Sequence, residues 1–386
     1  MDKPKKLKMN AKTFRIITAP IMVLFLIFAL ALSIITNYFT PSLNAFLGKG
    51  ARKATTPSGT SDWDTDYYDI TSTSSEDALN NSLKTSENIA DEGIVLLKNN
   101  GLLPLATEQT VTPFGYDYLN PMMSGSGSGS ADTTADYVYT AEKGINEAFS
   151  NVNSASVDAM KNGTVHETTP AAASGEGGAT AFLGSSTILN EYPAETYNGI
   201  EDSCKGTVGI VFLGRAGGEG GDLYAEAYDD GTPHQLALTD TERGVLDFAK
   251  KNCAGVVVVL NSCNTMQVGE LEDDPDIDAV ITMCTPGAVG FKSLGKILNG
   301  TVNPSGKTVD TFVADCTLTP TYVNFNKGDG ATSYSNASYT RDIWLSKFKG
   351  GPDFDARFRE YEEGVYMGYR WYETAADMDY FTSDNL

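Results

Sequence analysis

Four consecutive valines, Val256 to Val259, with Gly255 before them and Leu260 after, constrain this chain more than any other stretch. A strand with one wet face alternates apolar and polar residues. A run that is apolar at every position is buried on both faces, and β-branched side chains favour strand over helix. Val208–Leu213 and Ile277–Met283 read the same way. Helical segments separate these runs. One is capped by Thr239 or Asp240, with Glu242 behind the cap, and extends to about Lys251; another covers Gly287–Leu298 and is broken by Asn299-Gly300. Strand and helix alternating in this way predict an α/β fold: a three-layer α/β/α sandwich around a mostly parallel sheet.

The first half is less regular. A helix capped by Ser74 or Ser75 is expected to present Leu79, Leu83, Ile89, Ile94 and Leu97 on one face and to stop before Asn99-Asn100-Gly101. A short strand near Val111–Phe114 and a helix near Ala141–Phe149 follow, with the alternating Ser/Gly run Ser124–Ser130 between them. Residues 151–178 are polar and fix no element. Residues 324–358 read as irregular, and Val365–Tyr372 as a final aromatic strand.

One transmembrane helix is expected ahead of the sandwich. Ile16–Thr36 is apolar, uncharged and long enough to span a bilayer. Lys3, Lys5, Lys6, Lys8, Lys12 and Arg15 precede it, which keeps the N-terminus cytoplasmic and sends the rest outside as a single-pass cell-membrane protein. A cleaved signal peptide is the competing reading; the run exceeds a usual signal core, and no small-residue cleavage site follows. The resulting order is a basic tail (1–15), a signal anchor (16–37), a linker (38–73), the sandwich (74–323) and an extension (324–386).

The net charge of -22 speaks against nucleic acid as a partner, because a phosphate backbone needs a basic surface to displace its counterions. It suits a solvated surface handling neutral ligands. The five cysteines, Cys204, Cys253, Cys263, Cys284 and Cys316, are odd in number and contain no C-x-x-C pair, so neither a disulfide framework nor a zinc site is indicated; Cys263 and Cys284 are expected to be buried. With His166 and His234 as the only histidines, a Ser-His or Cys-His machine has little support.

Five segments, in order, resemble glycoside hydrolase family 3 of the β-glucosidase type. Glu92–Asn99 followed by Leu103-Pro104-Leu105 resembles the helix leading into the family's second domain. Gly214–Asp222 is similar to its acidic glycine loop, and Val256–Asn261 to its valine strand. Asn303–Lys307 with Thr311-Phe312, and Glu363–Arg370, resemble its sheet exit and late aromatic strand. The likeness runs from about Thr85 to Glu373 and implies an enzyme that hydrolyses O-glycosyl bonds of a β-linked oligosaccharide or glycoside, without a cofactor or metal.

Glycoside hydrolysis needs two carboxyl groups flanking the scissile bond. A glycine loop at the end of a parallel strand lets one of them approach a sugar closely, at the edge where α/β sheets hold ligands. Glu219 stands in such a loop, and the resemblance implies that it is the acid/base; the competing reading is an exposed loop glutamate. Asp222 is expected to order the loop. Leu223 stands where the family usually has Arg, and Gly217 where it usually has Ser. A dinucleotide reading of the loop fails, since Glu219 and Asp222 would repel phosphates. Ser61-Asp62-Trp63 matches the family's nucleophile motif but follows linker sequence, and a (β/α)8 barrel of about 250 residues does not fit between Tyr38 and Thr85. The nucleophile Asp is therefore expected on a barrel elsewhere in a longer protein, in the swapped domain order. This chain alone is expected to be inactive. A non-catalytic carbohydrate-binding or scaffold module is the alternative.

Overall fold

The computed structural model describes residues 10–46, 59, 71–125, 132–171, 187–217, 223–324, 333–334, 356–357, 363–378 and 380. The chain divides into two compact units, Met1–Thr71 and Ser72–Leu386. In the first, the apolar run forms one helix, Ala11–Phe46, longer at both ends than the sequence reading and reaching into the expected linker. It is long and apolar enough to cross a membrane, and its apolar side chains from Phe14 to Ile35 are exposed.

The second unit is built on a six-stranded sheet. The strands in chain order are β1 (Val95–Asn99), β2 (Thr110–Phe114), β3 (Asn151–Val152), β4 (His166–Thr168), β5 (Leu189–Glu191), β6 (Val208–Arg215), β7 (Gly255–Ser262), β8 (Ala279–Thr282), β9 (Ser333–Tyr334) and β10 (Ala356–Arg357). The main sheet has the order β1-β8-β7-β6-β2-β3; β4 pairs with β5 and β9 with β10 in two small ribbons. Its core pairings are parallel, with Val208 opposite Gly255 and Val257 opposite Ala279. Every residue of β7 is buried, as the valine run requires. Helices Ser75–Gly93, Ala141–Ala148 and Gly290–Leu298 pack together as one layer. Helices Ser154–Asn162 and Asp240–Asn252 meet around the Ala194–Tyr197 turn in the other. The result is the expected mostly parallel α/β sandwich.

Three expectations change. The first helix ends at Gly93, and Val95–Asn99 is a strand rather than its last turns. Glycine is a poor helix former, Ile94 is already extended, and β1 pairs antiparallel with β8, Val95 opposite Thr282. The expected Val365–Tyr372 strand is instead a turn followed by the helix Tyr369–Asp377. Gly364 and Gly368 both take positive φ, which ends extended backbone on either side of Val365–Met367. Cys263 and Cys284 are exposed, because β7 and β8 end just before them. Within the segment that fixed no element, Asn153 caps the helix Ser154–Asn162.

Two glycines explain the close helix packing. A Cβ on Gly144 would collide with the Phe291 carbonyl, and one on Gly295 would lie 2.6 Å from the Gly144 carbonyl. Gly144→Ala is therefore expected to destabilise the domain by about 1–3 kcal/mol through overpacking, despite alanine's better helix propensity. Urea denaturation of the two forms checks this; equal midpoints would show that the helices can part without cost. Gly306 has a similar role: its ideal Cβ would lie 2.8–3.0 Å from the carbonyls of Glu92, Gly93 and Ile94. The Asn303–Lys307 motif thus closes against the first.

Candidate active site

The parallel strands β2, β6, β7 and β8 end on one edge, where open α/β sheets bind ligands. At the end of β6 stands Arg215, 1% exposed. Its guanidinium makes a two-pronged ion pair with Glu242, Nη1 to Oε1 at 2.6 Å and Nη2 to Oε2 at 2.8 Å. Nη1 also donates to the Gly214 carbonyl, Nη2 to that of Ala237, and Nε to that of Gln235. Burial alone would lower the Arg215 pKa, but the Glu242 carboxylate raises it, so the charge is held. Glu242 is itself fixed by a capping box: Thr239 N donates to it, and the Thr239 hydroxyl accepts from Glu242 N.

This anchor sets the neck of the glycine loop. The Gln235 side chain ties both ends: its Nε2 donates to the Ala216 carbonyl at 3.3 Å, and its Oε1 accepts from Tyr224 N at 2.8 Å. Gln235 N also donates to the Tyr224 carbonyl. Residues 218–222, with Glu219 and Asp222, lie between these ties and outside the described residues; so do Asp62 and Ser126–Ser130. On the β7 side, a Cβ on Gly217 would lie 2.7 Å from Asn264 Nδ2, a buried donor without a hydrogen-bond partner.

Two more carboxyls surround the anchor. Asp117, in the short helix Tyr116–Leu119 after β2, packs against Gly214; burial pushes its pKa up to about 8, with the Arg215 charge opposing and the Glu242 charge adding. Glu191, at the end of β5, accepts from Tyr116 N at 2.8 Å and Tyr192 N at 2.7 Å. Burial and the Glu242 charge push its pKa well up. Asn261, at the end of β7, donates to the carbonyls of Met122 and Cys284 and accepts from Met122 N, which fixes the approach to the Ser124 loop. His234 is buried; its Nδ1 accepts from Leu236 N, and burial lowers its pKa, so the ring is neutral. A cavity of about 340 Å³ beside the loop's second end is lined by Leu223, Tyr224, His234, Tyr322 and Tyr372, among others.

Arg215, Gln235, Asp117, Glu191 and Asn261 carry this architecture, and the sequence reading gave none of them a role. Arg215 had a detectable signal: a lone charge ending an apolar strand needs a buried partner.

Fold and edge together define an α/β domain whose glycine-rich segment leaves the end of β6 at a sheet edge. Residues 94–369 match the glycosyl hydrolase family 3 C-terminal domain, and the chain belongs to glycoside hydrolase family 3. It is 27% identical over 297 residues to a β-glucosidase of Ruminococcus albus, covering 77% of this chain and 27% of that protein. It is 25% identical over 308 residues to β-glucosidase A of Butyrivibrio fibrisolvens, covering 74% and 32%. Among solved structures, a β-glucosidase from Paenibacillus barengoltzii superposes with a TM-score of 0.54 at 25% identity, over 75% of this chain and 27% of that one. β-Glucosidase 3B from Thermotoga neapolitana shares the fold, with a TM-score of 0.53 at 22% identity, over 77% and 36%. The chain spans about a third or less of the length of these relatives.

Proposed function

We propose that this chain is the membrane-anchored sandwich portion of a β-glucosidase-type hydrolase. Glu219 acts as general acid/base on a β-linked glycoside, and the nucleophile sits on a barrel outside this sequence. The observation that carries the reading is the double tie of Gln235 to Ala216 and Tyr224, braced by Arg215–Glu242. It holds the neck of the Glu219 loop at the ligand-binding edge of the sheet. A general acid must reach the glycosidic oxygen while a second carboxylate works on the anomeric carbon, and a five-residue reach from a rigid neck suits that task. The Ala11–Phe46 helix, with four lysines ahead of it and Lys12 and Arg15 in its first turns, anchors the N-terminus with the domain outside.

The purified outer portion is expected to show no turnover of an aryl β-glucoside. In the longer protein that includes the barrel, Glu219→Gln is expected to lower kcat by roughly 10²–10⁴-fold, the usual worth of a general acid/base. Full activity of that variant would remove Glu219 from the chemistry. Turnover by the outer portion alone would place a nucleophile within this sequence. Saturable sugar binding with no turnover in the longer protein would favour a binding module.

A further inference from the structure

Of the five cysteines, two touch. The side chains of Cys204 and Cys253 face each other. Thr207 links the two residues. The Thr207 hydroxyl lies 3.8 Å from Cys253 Sγ and donates to the Cys204 carbonyl at 2.8 Å. Asn153 Nδ2 lies 4.0 Å from Cys204 Sγ. The backbone repeats the contact, since Ala254 N donates to the Thr207 carbonyl at 2.8 Å. Cys204 is fully buried at the end of the short helix Glu201–Cys204. Cys253 is half-buried at the C-cap of Asp240–Asn252, which gives a small reagent its access.

We propose that Cys204 and Cys253 are a disulfide site. Thr207 contacts both residues and the two side chains already face each other, whereas cross-linking usually fails because the two cysteines lie far apart. The bridge would close a covalent ring containing β6, the Glu219 loop, the Arg215–Glu242 pair and the helix that carries Glu242. The inference rests on no part of the glycosidase reading.

The oxidant is a small-molecule disulfide such as oxidised glutathione. One cysteine of the pair attacks it as the thiolate; the reagent's S–S bond breaks and one glutathione thiol leaves. The second cysteine then displaces the other glutathione from the mixed disulfide. One protein S–S bond forms, the reagent's bond is reduced to two thiols, and the two cysteine protons end on them.

The test uses the full chain with Cys263, Cys284 and Cys316 changed to Ser, incubated with oxidised glutathione and then alkylated after unfolding. The expected intact mass is lower by two hydrogens, with no alkylation. The thermal midpoint is expected to be higher than in the reduced form by roughly 5–15 °C, as for a bridge closing a loop of this length. Adding Cys204→Ser should abolish both effects. Two alkylatable thiols, or a retained glutathionyl group, would overturn the proposal. Should the triple variant fold poorly, peptide mapping of the unaltered oxidised chain decides: Cys204 joined to Cys253 supports the site, and any other pairing overturns it.

Discussion

Arg215→Met is expected to destabilise the domain by about 3–5 kcal/mol, the cost of leaving a buried charge without its partner. All five guanidinium donors are engaged, two with Glu242 and three with the carbonyls of Gly214, Gln235 and Ala237. Methionine fills much of the volume but satisfies none of these acceptors, and Glu242, 3% exposed, cannot reach water. Arg215→Lys keeps the charge without the planar fork and is expected to fall between the two. The double change Arg215→Met with Glu242→Leu removes both buried charges and should recover a large part of the loss. Urea unfolding of the four proteins measures this. A loss below ~1 kcal/mol for Arg215→Met would show that the pair is not the brace described.

The second large effect is a fall in stability with rising pH. Asp117 has an ordinary pKa of 3.8, and burial pushes it up to about 8 in the folded chain. Between those values the folded state holds a proton that the unfolded state has released, so ionisation favours unfolding and stability declines as pH rises across this window. Below the window both states are protonated and the penalty vanishes; above it the slope ends. At ~1.4 kcal/mol per pKa unit, the decline attributable to Asp117 approaches about 6 kcal/mol. Glu191, also raised, acts in the same direction. The net charge of -22 adds general repulsion, so the diagnostic comparison is the Asp117→Asn variant. Its unfolding free energy should fall less between pH 5 and pH 8 than that of the unaltered chain. Parallel curves would mean that Asp117 ionises freely in the fold.

What could be read from the sequence followed from periodicity. The β7 valines, the Thr239–Glu242 cap and the Gly290–Leu298 helix obey local rules, and the structure places them as expected. The misreadings occur where tertiary pairing overrides local pattern. Ile94 and Leu97 continue a helical stripe, yet Leu97 sits at a bulge in a strand whose neighbours Leu96 and Lys98 pair with β8. Tyr366 and Tyr369 favour strand by propensity, yet glycines at positive φ turn the chain on both sides of the run. For the site, Glu219 stood out through composition and resemblance. The residues that hold its loop did not, because Gln235, Arg215 and Glu242 meet only after β6 and the Asp240–Asn252 helix have packed. The Cys204–Cys253 contact was hidden for the same reason: no spacing rule joins a turn before β6 to a cap after the following helix.

The order of strands also dictates an order of assembly. β1 is the first strand of the sheet to leave the ribosome, but its neighbour among the described strands is β8, the last of the sheet. Until Thr282 has been made, Val95 has nothing to pair with. Loop closure over so long a separation is slow, so the nascent chain carries an unsatisfied strand until β8 has been made. The two apolar residues Leu96 and Leu97 stand beside Lys98, whose ammonium finally docks on the carbonyls of Leu271, Glu272 and Asp274. Before that docking, the lysine charge guards the waiting strand against pairing with other chains.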